Sequence, residues 1–414
     1  MTPRSTHSLR RAGTAAALSL AVLAPAAAPE AAAAPAPEPE QSVSASAPLL
    51  IGHRGAAGTA PENTVSAFEQ ARGSRADFFE LDVQLSADGV PFVFHDDTPA
   101  RTTDVARVFP GRENDPITSF TWAELQRLDT GSHFSGHFAG EKISHFDDAA
   151  RAARNQIGVF IEIKSPENSP GIEKVVADAL REDPQWNRLV RCGRVEVLGY
   201  DAGSNRTFAQ LAPEVPLQQL MDTVPDAAAL AQIATYADNF GTDYRPLDAA
   251  AVQRVKHAGL GMGVYTVDSV PAYDRVAALG VDRITGDFPV QFSRHKKGQQ
   301  PFPQNTGVRV VDAVNDVPGG DLQPEAGEHV ILQNTAAHPV DVSGYRIRDT
   351  KDSTLTVGPG YVLAPGQQLR VYTGPGTNRA DAYYNHLGTE TLDDEGDSVA
   401  LWSSHGTLQD TFAN

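Results

Sequence analysis

Short apolar runs alternate with longer amphipathic segments between Leu49 and Thr285, and this alternation indicates the fold of most of the chain. The apolar runs predict eight strands, at Leu49–Gly52, Phe78–Val83, Pro91–Phe94, Gly158–Ile163, Val195–Gly199, Leu217–Leu220, Gly261–Thr266 and Arg283–Thr285. Segments with helical spacing include Thr64–Arg72, Thr121–Leu128, His145–Asn155, Gly171–Asp183, Ala227–Tyr236, Asp248–Ala258 and Pro271–Leu279. Strands interleaved with helices in this way are typical of a closed parallel sheet. We therefore predict an α/β fold, a TIM (β/α)8 barrel.

The pattern changes after Thr306, where short β-prone segments are separated by Gly, Pro, Asn and Asp. Examples are Val308–Val314, His329–Asn334, Val342–Asp349 and Gln367–Thr373, and no helical period is evident between them. About 110 residues of this kind predict a small all-β immunoglobulin-like sandwich after the barrel.

The N-terminus has the character of an export signal. Arg10 and Arg11 precede an apolar run from Ala15 to Ala28, followed by small residues suited to cleavage. We therefore expect a secreted, extracellular protein, exported by either the Sec or the twin-arginine route. The predicted domains are a signal peptide (1–34), a disordered Ala/Pro linker (35–48), the barrel (49–292), a second linker (293–306) and the β-sandwich (307–414).

The charge balance narrows the classes of partner. The chain of 414 residues carries a formal net charge of −18, so we expect no nucleic-acid partner. The N-terminal apolar run is too short and too rich in alanine for a stable membrane span, so we also expect no stable membrane insertion. Its single cysteine, Cys192, permits no internal disulfide. We interpret this thiol as a small structural residue.

Carboxylates cluster near the ends of the predicted strands. Glu80 and Asp82 are two residues apart on one strand, so their side chains share a face, and Glu162 follows on another strand. Close carboxylates are costly to bury unless a cation joins them, and oxygen-only ligands favour one divalent ion, Ca²⁺ or Mg²⁺. A salt-bridged layer that includes Lys164 is the alternative, and the residues alone leave both readings open.

Two histidines accompany these carboxylates. His53 and His95 each follow a predicted strand, which would place both at the rim where TIM barrels carry their active sites. Imidazoles suit general acid and base roles near neutral pH, while Arg54 and Lys164 supply positive charge for a phosphate. The combination predicts phosphoryl transfer.

Three blocks carry a more specific resemblance. HRGAAGTAPENTVSAFEQA, FFELDVQLSADGVPFVFHDDTPARTT and FIEIK resemble the signature blocks of the glycerophosphodiester phosphodiesterase family. The resemblance spans roughly Leu49 to Phe292 and implies hydrolysis of small glycerophosphodiesters to glycerol 3-phosphate and an alcohol. It also implies that the glycerol 2-hydroxyl attacks first, so that a cyclic phosphate forms and is then opened by water.

The resemblance assigns roles to individual residues. It implies that His53 and His95 are the catalytic acid–base pair and that Glu80, Asp82 and Glu162 bind the metal. The implied substrate contacts are Arg54, Glu62, Lys164 and Tyr265. Tyr265 stands where the family usually has tryptophan, and Gly286 separates a Thr and an Asp that are commonly adjacent, which puts a role for Asp287 in doubt.

The C-terminal segment resembles the lamin-tail domain that is appended to secreted bacterial enzymes. The motifs are GEHVILQNTAAHPVDVSGYRIRDT, LAPGQQLRVYTGPGT and DDEGDSVALW. We find no catalytic cluster there and interpret the acidic run Asp393–Asp397 as a solvated turn rather than a Ca²⁺ site. The tail is therefore expected to be dispensable for chemistry and to be a candidate module for binding cell-surface or extracellular material.

Two other functions remain as hypotheses. One is a phospholipase D-like phosphodiesterase that acts on lipids, and the other is a non-catalytic protein that captures phosphodiesters. The intact PENT segment and the short loop after His95 favour hydrolysis of glycerophosphodiesters over the lipid-directed function. A non-catalytic protein would be expected to have lost a metal ligand or a histidine, and none of the predicted ones is missing.

Overall fold

The computed structural model describes residues 47–349, 353–393 and 396–414. The predicted signal peptide, and all of the predicted linker 35–48 except its last two residues, lie outside the described residues. None of the helices within the described ranges is long and apolar enough to cross a membrane.

The first part of the chain forms a closed parallel barrel. Its ten strands are β1 (Leu49–Gly52), β2 (Phe78–Leu85), β3 (Pro91–Val93), β4 (Ser144–His145), β5 (Gly158–Ile163), β6 (Val195–Gly199), β7 (Leu217–Leu220), β8 (Asn239–Asp243), β9 (Gly261–Tyr265) and β10 (Arg283–Gly286). Eight of them, β1, β2 and β5 to β10, pair in parallel, and the ring closes because β1 pairs with both β2 and β10. The predicted TIM barrel is confirmed.

One predicted barrel strand was wrong. The segment predicted at Pro91–Phe94 is β3, which runs antiparallel to the upper end of β2 and forms no part of the ring. The eighth barrel strand is β8, whose sequence NFGTD lacks an apolar run and therefore gave no strand signal. The physical reason is that β2 continues for two residues beyond its pairing with β5, and β3 returns antiparallel along this end of β2.

Helices surround the ring. They are α1 (Val65–Ser74), α2 (Val105–Val108), α3 (Trp122–Leu125), α4 (Phe146–Ala153), α5 (Ile172–Glu182), α6 (Pro184–Arg191), α7 (Ala202–Leu211), α8 (Ala227–Ile233), α9 (Ala249–His257), α10 (Val270–Leu279) and α11 (Pro289–Lys296). Several begin at a side chain that caps a free main-chain amide, as Thr64, Asp226 and Ser269 do. The last four residues of α11 lie in the segment predicted as a linker.

The barrel strands bury both of their faces. Inward-pointing residues such as Ile51, Phe160 and Leu198 form a small core within the ring. Alternate residues such as Leu50 and Phe79 point outward and join a larger apolar layer beneath the helices. This alternation directs the polar residues at the C-terminal ends of the strands into the mouth of the barrel.

Over the residues that the structure describes, the tail is an all-β domain with two four-stranded sheets. Its strands are β11 (Val308–Val314), β12 (His329–Asn334), β13 (Val340–Asp341), β14 (Arg346–Asp349), β15 (Thr354–Thr356), β16 (Val362–Leu363), β17 (Gln368–Tyr372), β18 (Ala382–Tyr384), β19 (Ser398–Trp402) and β20 (Leu408–Ala413). The sheets have the orders β11-β12-β17-β18 and β15-β14-β19-β20, with β13 and β16 as a separate pair. Their inner faces enclose an apolar core, as expected for the predicted sandwich.

Gly286 provides a test of how tightly the strand ends are packed. A methyl group on its Cα would stand 2.1 Å from the main-chain oxygen of Val267 and 2.9 Å from the Phe292 ring. We expect Gly286→Ala to lower the free energy of unfolding by about 1–3 kcal/mol through overpacking. Denaturant unfolding of the purified protein would measure this change.

Gly73→Ala is the matched control, because no atom lies within 4 Å of its added methyl group. It sits in helix α1, where alanine has the higher helix propensity, so its unfolding free energy should be unchanged or slightly raised. Equal stability of the two variants would contradict the close packing at Gly286.

Candidate active site

His53 lies directly beyond the end of β1, at the mouth of the barrel. Its Nδ1 atom is 2.7 Å from Oδ1 of Asp287, which follows the last barrel strand. A carboxylate on Nδ1 fixes the orientation of the ring and leaves Nε2 as the nitrogen available to a ligand. The carboxyl of Asp268 accepts a hydrogen bond from the Asp287 main-chain amide at 2.8 Å, and this contact fixes Asp287 in turn.

His95 lines the same cavity and has the same arrangement. Its Nδ1 atom is 2.8 Å from Oδ1 of the neighbouring Asp96. Asp96 also accepts hydrogen bonds from Arg101 at 2.7 and 2.8 Å. Burial opposes ionisation of Asp96, but its hydrogen bonds with His95 and Arg101 outweigh this effect and lower its pKa. The antiparallel strand β3 delivers His95 to the rim, since the Phe94 amide bonds to the Asp82 carbonyl.

The three predicted metal ligands converge as expected. Asp82 on β2 is in register with Glu162 on β5, and Glu80 lies two residues earlier on the same face of β2. One oxygen of each carboxylate lies within 4.8 Å of the others. Glu80 and Asp82 are only 3% and 1% exposed, so little water reaches their charges.

The charges of this cluster are unevenly compensated. Burial, together with the neighbouring Asp82 and Glu162, raises the pKa of Glu80 well above its ordinary value. Burial opposes ionisation of Asp82 as well, but its electrostatic interactions with His95 and Arg54, among others, outweigh this effect and lower its pKa. An additional cation between the carboxylates would relieve the cost at Glu80, so the residues fit a divalent ion.

The alternative, a layer in which salt bridges neutralise all three carboxylates, agrees only in part with the structure. Lys164 Nζ lies 3.2 Å from Glu162 Oε1, and Arg54 Nε lies 3.6 Å from Asp82 Oδ2. Within the described residues, the hydrogen bond to the Glu80 carboxylate comes from the main-chain amide of Arg54, at 2.7 Å. Two side-chain cations therefore face three carboxylates.

Glu62 binds arginines at the rim. Its carboxylate accepts hydrogen bonds from Arg54 at 2.9 Å and from both terminal nitrogens of Arg101 at 2.8 Å. These contacts lower the pKa of Glu62 well below its usual value although burial opposes them. Glu62, His95 and Asp96 also lie close enough to hold a cation, but the guanidinium of Arg101 already bridges Glu62 and Asp96.

Tyr265 ends β9 and lines the same cavity as the two histidines. Its hydroxyl donates to the Met221 carbonyl at 2.9 Å and accepts from Tyr200 at 2.8 Å. Burial raises the pKa of Tyr200 to about 12, so this phenol stays neutral at physiological pH. The two rings lie edge to face, and Tyr265 forms part of the cavity wall.

Five of the nine site residues named from the sequence line the cavity, namely His53, Arg54, Glu62, His95 and Tyr265. The other four, Glu80, Asp82, Glu162 and Lys164, form the carboxylate cluster that Arg54 contacts, and the structure adds further residues to the site. Asp287 was put in doubt by Gly286, yet its carboxylate meets His53. Asp96 and Arg101 were not named, although a carboxylate directly after His95 was a usable signal. Six of the tail residues that the structure describes, from Arg348 to Ala400, also line the cavity, and no motif indicated this.

Chemistry at a phosphate ester suits this arrangement, because proton donors and acceptors stand beside a cation site and basic side chains. By fold and site the protein belongs to the barrel enzymes that hydrolyse phosphoric diesters. The model of the glycerophosphoryl diester phosphodiesterase family matches residues 53–291, more than half of the chain, and the chain belongs to this family. The Lamin Tail Domain model matches residues 303–414.

Individual relatives agree with the family match. A glycerophosphodiester phosphodiesterase of Bacillus subtilis is 30% identical over 262 residues, covering 60% of this chain and 87% of the relative. One from Caldanaerobacter subterraneus is 32% identical over 246 residues, covering 58% and 94%. The solved phosphodiesterase of Oleispira antarctica, in complex with sn-glycerol-3-phosphate, superposes with a TM-score of 0.52 at 26% identity, covering 60% of this chain and 97% of that one.

Glu80→Gln tests the charge imbalance without an activity assay. In metal-free protein the raised pKa of Glu80 keeps its proton on the native state, while the unfolded chain releases it above its ordinary pKa of about 4.3. Wild-type stability should therefore fall as the pH rises from about 5 to 8, and Glu80→Gln should fall less. Adding Ca²⁺ or Mg²⁺ at pH 8 should raise the melting temperature of the wild type by several degrees and that of the variant by less.

Glu196→Gln serves as the control. Glu196 is a similarly buried glutamate on β6, but it is paired with Arg283 at 3.2 Å. Its variant should keep the full cation-induced rise in melting temperature. A rise of equal size in Glu80→Gln and in the wild type would rule out the three-carboxylate cation site.

Proposed function

We propose that the protein hydrolyses glycerophosphodiesters to glycerol 3-phosphate and an alcohol by metal-assisted acid–base catalysis. The observation that carries this proposal is the matched pair of histidines, His53 and His95. Each has a carboxylate on Nδ1, and both line one cavity beside the carboxylate cluster. A binding protein would have no need for two imidazoles oriented in this way.

The two histidines divide the proton transfers. One removes the proton from the attacking glycerol 2-hydroxyl through Nε2, and the other gives a proton to the leaving alcohol oxygen. Asp287 and Asp96 hold the rings in the required tautomer and stabilise the charged form of each. A hydroxyl within the substrate needs no separate encounter, which removes much of the entropic cost of the attack.

The phosphate is then a five-membered cyclic diester, and a water molecule opens it. The histidine that had given its proton accepts one from the water, and its partner returns a proton to the 2-hydroxyl oxygen. Both residues end in their starting states, so the cycle balances without a further reactant.

The carboxylates and basic residues act on the charge of the phosphate. Glu80, Asp82 and Glu162 would hold one divalent ion, Ca²⁺ or Mg²⁺, which supplies Lewis-acid polarisation of a phosphate oxygen when bound. Arg54 and Lys164 contribute fixed positive charge next to this site, and Glu62 holds Arg54 in place. Tyr265 would face the glycerol part of the substrate.

Outside the cell is where we propose that this reaction takes place. The support is the sequence of the first 34 residues, with its arginines and alanine-rich apolar run. A role of the tail in holding the enzyme near extracellular material is compatible with this location.

Histidine variants test the acid–base assignment. His53→Ala and His95→Ala should each lower turnover of glycerophosphocholine by about two to four orders of magnitude, the usual scale for general acid–base catalysis. Cation binding should persist because its ligands are carboxylates, and the wild-type rate should follow a bell-shaped pH profile. Steady-state kinetics and calorimetric titration with Ca²⁺ or Mg²⁺ would measure both effects.

His257→Ala provides the control, because this histidine is exposed at the end of α9, away from the cavity. It should keep wild-type turnover and melting temperature. Near-normal turnover in either cavity variant would refute the mechanism, and loss of cation affinity would reassign that histidine as a ligand.

A further inference from the structure

The tail presents one face of a sheet to the mouth of the barrel. Along β19, Val399 and Leu401 point into the core of the tail, so Ser398, Ala400 and Trp402 point to the other side. Ala400 and Leu408 belong to the apolar layer that surrounds the barrel, and Trp402 packs against it. The outer face of this sheet is therefore packed against the barrel.

Polar contacts fix the tail in this position. Arg245, which follows β8, donates to the main-chain oxygen of Asn414 at 3.1 Å and to that of Gly396 at 3.4 Å. The guanidinium of Arg348 lies 3.8 Å from the centre of the Phe134 ring, which belongs to the loop between β3 and β4. Contacts of this kind tie the tail to two separate parts of the barrel rim.

The same sheet encloses the catalytic cavity. The cavity has a volume of about 640 Å³, and its wall combines His53 and His95 with Arg348, Ser398 and Ala400 of the tail. Arg348 and Ala400 are register partners on β14 and β19, so they lie side by side on the barrel-facing surface. A volume of this order holds one small molecule.

The tail also reaches the residues behind His53. Ser398 lies beside the buried Asp268, and Asp268 holds the main-chain amide of Asp287. Burial, together with the charge of Asp287, raises the pKa of Asp268 to about 8. The wall is thus part of the packing that surrounds the catalytic side of the barrel.

We propose that the tail domain forms a wall of the substrate cavity and limits catalysis to compact glycerophosphodiesters, with Arg348 as a specificity-determining residue. This inference rests on the hydrolase function proposed above. A diester that carries an acyl chain or continues into a polymer must extend past the wall, where Arg348 occupies space and is packed on Phe134. Such substrates should therefore be hydrolysed with lower kcat/KM unless the residues of the wall move aside.

Three substrates of graded size test the proposal on the full-length, metal-loaded protein. Glycerophosphocholine is the compact diester, lysophosphatidylcholine carries an acyl chain, and deacylated cardiolipin continues into a second glycerophosphodiester unit. The wild type should favour the compact diester in kcat/KM by about a hundredfold or more over each larger one. Arg348→Ala should reduce this preference about tenfold, because it removes the side chain from the wall.

Arg346→Ala is the matched control. Arg346 has the same side chain on the same strand face, two residues earlier, and it does not line the catalytic cavity. It should keep the wild-type preference and kcat/KM. Melting temperatures of both variants separate a local opening of the wall from a general loosening.

The outcomes are distinct. Equal kcat/KM of the wild type for all three substrates, or an equal change of preference in the two arginine variants, would overturn the role of the tail wall. Absence of hydrolysis of glycerophosphocholine, with cation bound and the protein folded, would instead overturn the proposed function itself. A preference that decreases in Arg348→Ala alone supports the wall.

Discussion

The approach of three carboxylates within the barrel is the constraint on which the rest of the site depends. The register of β2 and β5 places Asp82 beside Glu162, with Glu80 two residues away, where little water can screen them. Their mutual repulsion is costly, and a divalent cation bound between them would relieve it. The basic residues nearby, Arg54 and Lys164, partly balance the charge of the carboxylates, and under the proposed function they would also bind the phosphate.

Barrel strands with apolar runs were predictable, because burial on both faces demands them. The eighth strand was not, since NFGTD is polar and contains glycine, and its neighbours rather than its own residues hold it in the ring. The segment at Pro91–Val93 has strand character but pairs antiparallel to β2. A local pattern indicates extended backbone, whereas the direction of pairing depends on distant partners.

In the candidate site, too, local sequence patterns were predictable, whereas contacts between distant parts of the chain were not. Site residues inside the signature blocks could be predicted from the sequence, because those blocks contain the histidines and the carboxylates together. Asp287 was discounted on local spacing, although the geometry of β10 brings it to His53. The wall formed by Arg348 and Ser398 comes from a different domain, and no local pattern records how two domains pack. The expectation that the tail is dispensable rests on its lack of catalytic groups and stays a prediction.

The hydrogen bond between His53 and Asp287 joins residues 234 positions apart and depends on the pairing of the first and last barrel strands. Contacts of such long range form late, because the entropy of closing a large loop is lost before the contact contributes any favourable free energy. A partly folded barrel, with β10 not yet in place, would lack a correctly oriented His53. The oriented histidine is therefore a property of the completed ring, and a newly made chain acquires it only when the barrel closes.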